Sequence, residues 1–379
     1  MRRILFIANG HGETAIAARI ARDVLANDDA GSPSACDLFP LVGTGGGAES
    51  VPLVGPRRAM PSGGLVAMGN VRAFASDLRA GFLGLLGAQL RFLRDVRERY
   101  DVVVAVGDAY ALALSLRVGP RPIFVGTAKS VYVAPYGPFE RTLLRRAAAI
   151  FVRDEPTAQL LRRQGVAARA PGNVIVDLVR VDPTVTGGAW LGLLPGSRVA
   201  AYGDAVRLAR VVRALGSRRP GTRGKLSIAP NLASERFGRE LAADGWIVAE
   251  GAPGAFVARA GETELHAWTG ELGGLLAGSV AVLGQAGTAN EQAAACGIPV
   301  VALDDAAHGS GAWYRMRQRR LLGDGLLLLP TDPRVAAGKL AELLENPARL
   351  AKMGAAGRAR MGPGGGSAAI AAAILASAA

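Results

Sequence analysis

Cysteine is almost missing from this chain. Cys36 and Cys296 are the only two, which argues against a disulfide framework, and their separation offers no metal-ligand spacing. Lysine occurs only at Lys129, Lys225, Lys339 and Lys352, so arginine supplies nearly all of the 44 basic residues. There is no zinc-finger spacing and no RNA-binding aromatic motif, and the arginines are spread rather than run together, which argues against nucleic acid as a partner. No stretch approaches the ~18 apolar residues of a membrane span. The apolar run in Met1-Arg-Arg-Ile-Leu-Phe-Ile-Ala-Asn-Gly10 is too short for a signal peptide and reads as a first strand. The expected location is cytoplasmic, or peripheral on the inner membrane face.

What is present suits a large α/β protein. Half of the 379 residues are hydrophobic, enough for a substantial core, and the length favours two domains. The formal net charge of +13 predicts a basic surface that attracts anionic lipid headgroups.

Apolar strands alternate with helices along the chain. Strands are predicted at Arg3–Ala8, Asp101–Val106, Pro122–Val125 and Ala149–Val152. Helices are predicted at Thr14–Leu25 and Glu155–Gln164. The pattern restarts after Asp177 and the loop Asp182–Gly188, with strands at Leu191–Leu194, Leu226–Ala229, Trp246–Val248, Ser279–Leu283 and Val300–Leu303. Helices follow at Tyr202–Leu215, Trp313–Leu322, Val335–Leu344 and Pro347–Met361. This spacing implies parallel sheets covered by helices. It divides the chain into Rossmann-like domains at 1–180 and 181–362, with a tail helix at 363–379 after the break Pro363-Gly-Gly-Gly-Ser367. Ligands bind at the carboxyl ends of strands in such sheets. Those ends carry His11, Glu13, Asp108 and Lys129 in the first half, and Ser197, Arg198, Thr288, Gln292 and His308 in the second.

The most informative stretch runs Leu283-Gly-Gln-Ala-Gly-Thr-Ala-Asn-Glu-Gln-Ala-Ala-Ala-Cys-Gly-Ile-Pro-Val-Val-Ala-Leu303. A strand, a Gly-containing turn and a helix start present free N–H groups and a positive dipole end to an anion such as a diphosphate. Glu291 and Gln292 sit one turn in, within reach of a ribose. Thr288-Ala-Asn-Glu291 also matches a capping box, which would account for Glu291 without a ligand.

Leu193-Leu-Pro-Gly-Ser-Arg198, Val54-Gly-Pro-Arg57 with Leu65-Val-Ala-Met-Gly69, and Gly287-Thr-Ala with Pro299-Val-Val301 resemble lipid-A-disaccharide synthase. Asn9-Gly-His-Gly-Glu13 and Pro135-Tyr-Gly-Pro-Phe-Glu140 are closer to the lipid-A-disaccharide-synthase-related proteins. The resemblance implies the GT-B fold, two Rossmann-like domains facing across a cleft. It implies a UDP-sugar donor on the C-terminal domain, a lipid or glycolipid acceptor on the N-terminal domain, and inversion at the sugar carbon with no metal and no cofactor beyond the UDP-sugar co-substrate. The donor residues would be Gly196, Ser197, Arg198, Gly287, Thr288, Ala289, Glu291, Gln292 and His308. The acceptor residues would be Gly10, Gly12, Glu13, Lys129 and Tyr136. Gln292 stands where many GT-B enzymes carry a ribose-binding Glu, and an amide can bond both ribose hydroxyls. Tyr132-Val-Ala-Pro-Tyr136 lacks the synthase's aromatic motif.

Transfer of a sugar needs a base for the acceptor hydroxyl and charge stabilisation for the departing UDP. His11, a residue type whose reference pKa lies near neutrality, is the first choice for the base. Asp108 is its rival, and could instead orient His11 or cap the helix that follows. Arg198 suits the leaving group. The amphipathic stretch Leu78–Arg99 fits either a helix packed on the sheet or one lying on an anionic membrane. Two further readings stay open. One is a UDP-sugar 2-epimerase, although the Gly-Gly-x-Gln-Glu-Glu stretch of those enzymes is absent. The other is a non-catalytic nucleotide-sugar-binding protein.

Overall fold

The computed structural model describes residues 1–28, 33–43, 45, 51–58, 77–119, 121–181, 190–252, 254–304 and 310–377, with backbone alone at 310–313. The block Leu65–Gly69, the loop Asp182–Gly188 and His308 lie outside these residues. The chain divides into two units, Met1–Leu178 with Pro363–Ala379, and Val179–Gly362.

In the first unit the elements run β1 (Arg2–Ala8), α1 (His11–Ala26), β2 (Ser34–Pro40), α2 (Phe82–Asp95), β3 (Val102–Gly107), α3 (Ala109–Ser115), β4 (Ile123–Gly126), α4 (Pro138–Leu144), β5 (Ala149–Val152), α5 (Glu155–Arg163), β6 (Ala168–Arg169) and α6 (Val174–Asp177). The six strands pair in parallel in the order β2-β1-β3-β4-β5-β6. Both faces are covered, so β3 and β4 are buried at every position and read as unbroken apolar runs. The chain steps from β1 to β2 on one side and returns to β3 on the other. The switch point therefore lies between β1 and β3, where ligands bind in open α/β sheets.

α2 falls inside the predicted amphipathic stretch. It turns Phe82, Leu85, Gln89 and Leu93 inward, onto Leu5, Ile7, Phe39 and Leu41, while Leu83 and Leu90 stay exposed. The inward face packs on the sheet, as the helical spacing requires.

In the second unit the elements are β7 (Trp190–Leu194), α7 (Ala201–Gly216), β8 (Arg223–Ser227), α8 (Ser234–Ala243), β9 (Ile247–Glu250), β10 (Phe256–Ala260), β11 (Thr263–Trp268), α9 (Leu272–Ala277), β12 (Ser279–Gly284), α10 (Thr288–Ala295), β13 (Val300–Leu303), α11 (Ser310–Leu322), β14 (Leu326–Leu329), α12 (Pro333–Leu344) and α13 (Pro347–Met361). The sheet order is β14-β13-β12-β7-β8-β11-β10-β9. The chain first builds outward from β7 through β8, then crosses to β12, so this sheet switches between β7 and β12. The sequence pattern implies a parallel sheet throughout, but β9, β10 and β11 form an antiparallel meander. The turn Gly261-Glu262 joins β10 to β11, with Gly261 at φ +59°. A two-residue loop with positive φ at its first position is hairpin geometry. The core beneath holds Leu193, Leu226, Phe237, Leu265, Leu283 and Val301.

After α13 the chain rejoins the first unit as α14 (Gly366–Ser377). Asp177, at the end of α6, accepts hydrogen bonds from the N–H groups of Gly365 (2.6 Å) and Ser367 (2.8 Å). It thus caps a helix nearly two hundred residues away in sequence. The Asn173 N–H donates to Pro363 (2.8 Å), and the Arg2 guanidinium donates to the Leu375 carbonyl (3.1 Å). Replacing Asp177 by Ala strands two N–H groups at a helix start and is expected to cost about 1–2 kcal/mol. Asp177→Asn should retain only part of that, because Gly365 and Ser367 use different carboxylate oxygens and an amide offers one oxygen and turns an NH₂ donor toward the other N–H. Calorimetric melting, with proteolysis at the Pro363–Ser367 hinge as a local probe, checks both.

Candidate functional site

At the switch point of the second unit two turns meet. β7 runs out into Pro195-Gly-Ser-Arg198, and β12 into Gln285-Ala-Gly287. The Leu194 carbonyl accepts from the N–H groups of both Gln285 (2.9 Å) and Ala286 (3.0 Å). A Cβ on Gly196, at φ +110°, would lie 3.8 Å from the Ala286 Cα. Helix α10 starts directly after this turn.

The expected Thr288–Glu291 capping box is not formed. Gly287 is the N-cap, no side chain caps it, and Thr288 is already helical. The first i→i−4 bond is from the Glu291 N–H to the Gly287 carbonyl (3.2 Å). The N–H groups of Thr288, Ala289 and Asn290 precede it, at the positive end of the helix. Glu291 and Gln292 are half-buried in the next residues, while Ser197 and Arg198 are exposed on the facing turn.

A buried polar cluster fixes this turn from behind. The Asn290 amide donates to the Gly284 carbonyl (3.1 Å), Arg315 to the Gln285 carbonyl (3.3 Å) and Gln318 to the Ala286 carbonyl (2.7 Å). Arg315 also donates to the Gln318 side-chain oxygen (2.7 Å). Asn290 is 0 % exposed, and Arg315 and Gln318 are each 4 % exposed. Three successive carbonyls of a buried turn are thereby satisfied by side chains, which buried backbone requires. Sequence reading missed Asn290, Arg315 and Gln318. The available signal was the Arg315–Gln318 pair at i,i+3 on one helix face, but their partners are about thirty residues away.

Beside the Pro195–Arg198 turn, at the ends of β8 and β11, lies a cavity of about 370 Å³ lined by Ile228, Leu232, Ala233, Ser234, Gly254 and Thr269. Asn231 ties its rim to the turn by donating to the Ser197 carbonyl (2.8 Å). The Tyr202 hydroxyl accepts from the Ala233 N–H (3.0 Å). The cavity walls mix apolar and polar groups in nearly equal measure, with Ser234, Glu235 and Thr269 among the polar ones.

At the switch point of the first unit, the loop expected at residues 9–13 is only Asn9-Gly10. Gly10, at φ +122°, turns the chain sharply enough for α1 to begin at His11. His11, Gly12 and Glu13 therefore form its first turn. The His11 ring lies against Gly43, where a Cβ would sit 2.6 Å from His11 Cε1. Glu13 folds back over the ends of β1 and β3. A Cβ on Gly10 would lie 2.5 Å from Glu13 Oε2, and one on Gly107 3.1 Å from Glu13 Cγ.

Asp108 takes the capping role. One carboxylate oxygen accepts from the N–H groups of Tyr110 and Ala111, both at 3.1 Å, and the other from the Asn9 amide at 2.9 Å. Burial raises its carboxyl above the ordinary carboxylate range, against the opposing pull of these hydrogen bonds.

The remaining acceptor candidates are anchored in the fold. Lys129 pairs with Glu140 at 2.7 Å, and Glu140 also caps α4 by accepting from the Gly137 N–H (2.8 Å). Tyr136 is 3 % exposed and packs edge-on to Phe124, with ring centroids 6.3 Å apart. Tyr136 thus belongs to the core of the unit rather than to its surface. His266 lies in β11, edge-on to Trp190 and 3.2 Å from Glu264, a structural setting. Among the described residues no three His, Cys, Asp or Glu side chains gather as metal ligands, and no helix is long and apolar enough to cross a membrane.

No protein-family model matches this chain, and no curated protein matches it. Solved structures do. MurG from Acinetobacter baumannii is similar with a TM-score of 0.56 at 14% identity, over 99% of this chain and 100% of that one. The UDP-GlcNAc 2-epimerase from Neisseria meningitidis, solved bound to UDP-GlcNAc, gives 0.54 at 13% identity over 99% and 100%. The glycosyltransferase SnogD from Streptomyces nogalater gives 0.52 at 16% identity over 100% of both chains. At such identities the likeness is one of architecture: two α/β units built on mostly parallel sheets, the GT-B fold.

Proposed function

We propose that this protein is an inverting glycosyltransferase that moves a sugar from a UDP-sugar to a lipid or glycolipid acceptor. The observation that carries this reading is the pair of apposed turns at the β7/β12 switch point, with the uncapped start of α10 between them. In the proposal, the diphosphate is held by the N–H groups of Gly287, Thr288 and Ala289 and by Gly196, Ser197 and the Arg198 guanidinium. Glu291 and Gln292 bond the ribose. The cavity between Ile228 and Thr269 takes the uracil ring.

The acceptor belongs to the first unit, near Gly10, Gly12 and Glu13. Its hydroxyl oxygen bonds to the anomeric carbon as the bond from that carbon to the phosphate oxygen breaks. The electron pair departs with UDP and the hydroxyl proton passes to His11. Charge growing on UDP is met by Arg198 and the α10 dipole, groups already in place before reaction. The lipid character of the acceptor rests on the resemblance to the lipid-A-disaccharide-synthase-related proteins and on the net charge of +13, which favours anionic surfaces.

A second reading, sugar epimerisation, is favoured by the fold shared with solved 2-epimerases. Gly287-Thr-Ala-Asn-Glu-Gln292 lacks their Glu pair. Calorimetry with UDP followed by incubation with UDP-GlcNAc separates the cases. The proposal expects UDP to bind and the sugar configuration to persist until an acceptor is added. A change of configuration without an acceptor would favour the epimerase, and failure of UDP to bind would sink both.

A further inference from the structure

We infer that Tyr314 is a further donor-binding residue whose hydroxyl bonds the diphosphate of the nucleotide. This rests on the donor-site reading above and adds to it a contact from α11, an element that no motif in the sequence ties to the site.

Gly287 has φ −87° and ψ −82°, so no left-handed backbone calls for glycine there. Space does. A Cβ on Gly287 would collide with the Tyr314 hydroxyl oxygen, so that oxygen lies directly against the N-cap residue of α10.

The placement is rigid. The next residue, Arg315, and Gln318 one turn on are the buried pair that grips the Gln285 and Ala286 carbonyls. α11 is therefore fixed to the turn on which the hydroxyl rests. The charged side chains that act on the phenol are Glu291, Arg315, Arg198 and Arg317. Two of these, Arg198 and Glu291, are proposed donor contacts from the two sides of the switch point. Burial raises the phenol above its ordinary range, so it stays a neutral O–H donor at physiological pH. A neutral donor beside guanidinium groups suits an anion, since it adds a hydrogen bond without adding negative charge.

The test is calorimetry of wild type, Tyr314→Phe and Gly287→Ala with three probes: UDP, inorganic pyrophosphate and uridine. Tyr314→Phe removes only the oxygen, and Gly287→Ala keeps it but pushes it from its place. Both variants are expected to bind UDP and pyrophosphate about tenfold more weakly, the effect of one lost hydrogen bond to a charged group, and to bind uridine as wild type does. A purely structural tyrosine would weaken uridine and UDP alike, and that result overturns the inference. Unchanged UDP affinity in Tyr314→Phe overturns it too, while leaving the donor site standing. Should wild type bind pyrophosphate but not UDP, the nucleotide reading falls, and the pyrophosphate arm alone decides for or against a Tyr314 contact to phosphate. Should wild type bind neither, both readings fall.

Discussion

Replacing His11 by Ala is expected to lower kcat by about 10²–10⁴-fold, the usual contribution of a positioned general base, while UDP binds as before. His11 occupies the first turn of α1 with its ring against Gly43, so the substitution removes a side chain from the surface of a short turn and leaves the core intact. The rival base, Asp108, is separable by an isosteric change. In Asp108→Asn the side-chain oxygen can still cap Tyr110 and Ala111, and Asn9 can turn its amide over to meet the new NH₂ group.

If His11 is the base, Asp108→Asn keeps most of the activity. Loss of activity in Asp108→Asn with retention in His11→Ala would reverse the assignment. A stability test accompanies it. The folded-state pKa of Asp108 is raised, so its contribution to stability is fully present below the unfolded pKa and is lost as pH rises through the folded value. The Asn variant does not titrate at this position. Denaturant melts should therefore show its stability improving relative to wild type as pH climbs out of the acid range.

Arg198→Met is expected to lower kcat by about 10²–10³-fold, comparable to removing one preorganised donor from a site of developing charge. Arg198 is exposed on a turn, so folding should not suffer and the melting temperature should stay near that of wild type. The loss should fall more on kcat than on UDP-sugar affinity, because charge on the diphosphate grows as the sugar leaves. Lys at this position keeps the charge but not the planar fork, and should recover only part of the rate. Equal loss in KM and none in kcat would assign Arg198 to ground-state binding alone.

The alternation of strand and helix was legible because strands buried on both faces appear as continuous apolar runs, such as Val102–Val106 and Val300–Leu303. Of the β9–β11 meander only β9 was, as Trp246–Val248. The other two strands mix Arg259, Glu264 and His266 with apolar residues, and their one strong cue is the Gly261-Glu262 turn. The start of α1 was placed three residues late because Gly10 bends the chain in a single step, and His11-Gly-Glu13 reads as a loop when its φ angles are unknown.

The Thr288–Glu291 box satisfied a local rule that tertiary structure overrode. Asn290 turns inward to the Gly284 carbonyl, and the helix start is left uncapped. The Arg315–Gln318 clamp depends on partners far along the chain, which no local window can supply. Tyr136 and Lys129 follow the same logic. Their types suggested contacts with a ligand, yet their observed neighbours are Phe124 and Glu140.

The measurement that bears most directly on glycosyl transfer is UDP release from a panel of UDP-sugars, with and without a membrane lipid extract, by wild type and by Arg198→Met. The account predicts release from one donor or a few that rises on adding lipid and collapses in the variant. UDP binding with no release from any donor under either condition would contradict it, leaving a nucleotide-sugar-binding protein on a GT-B frame.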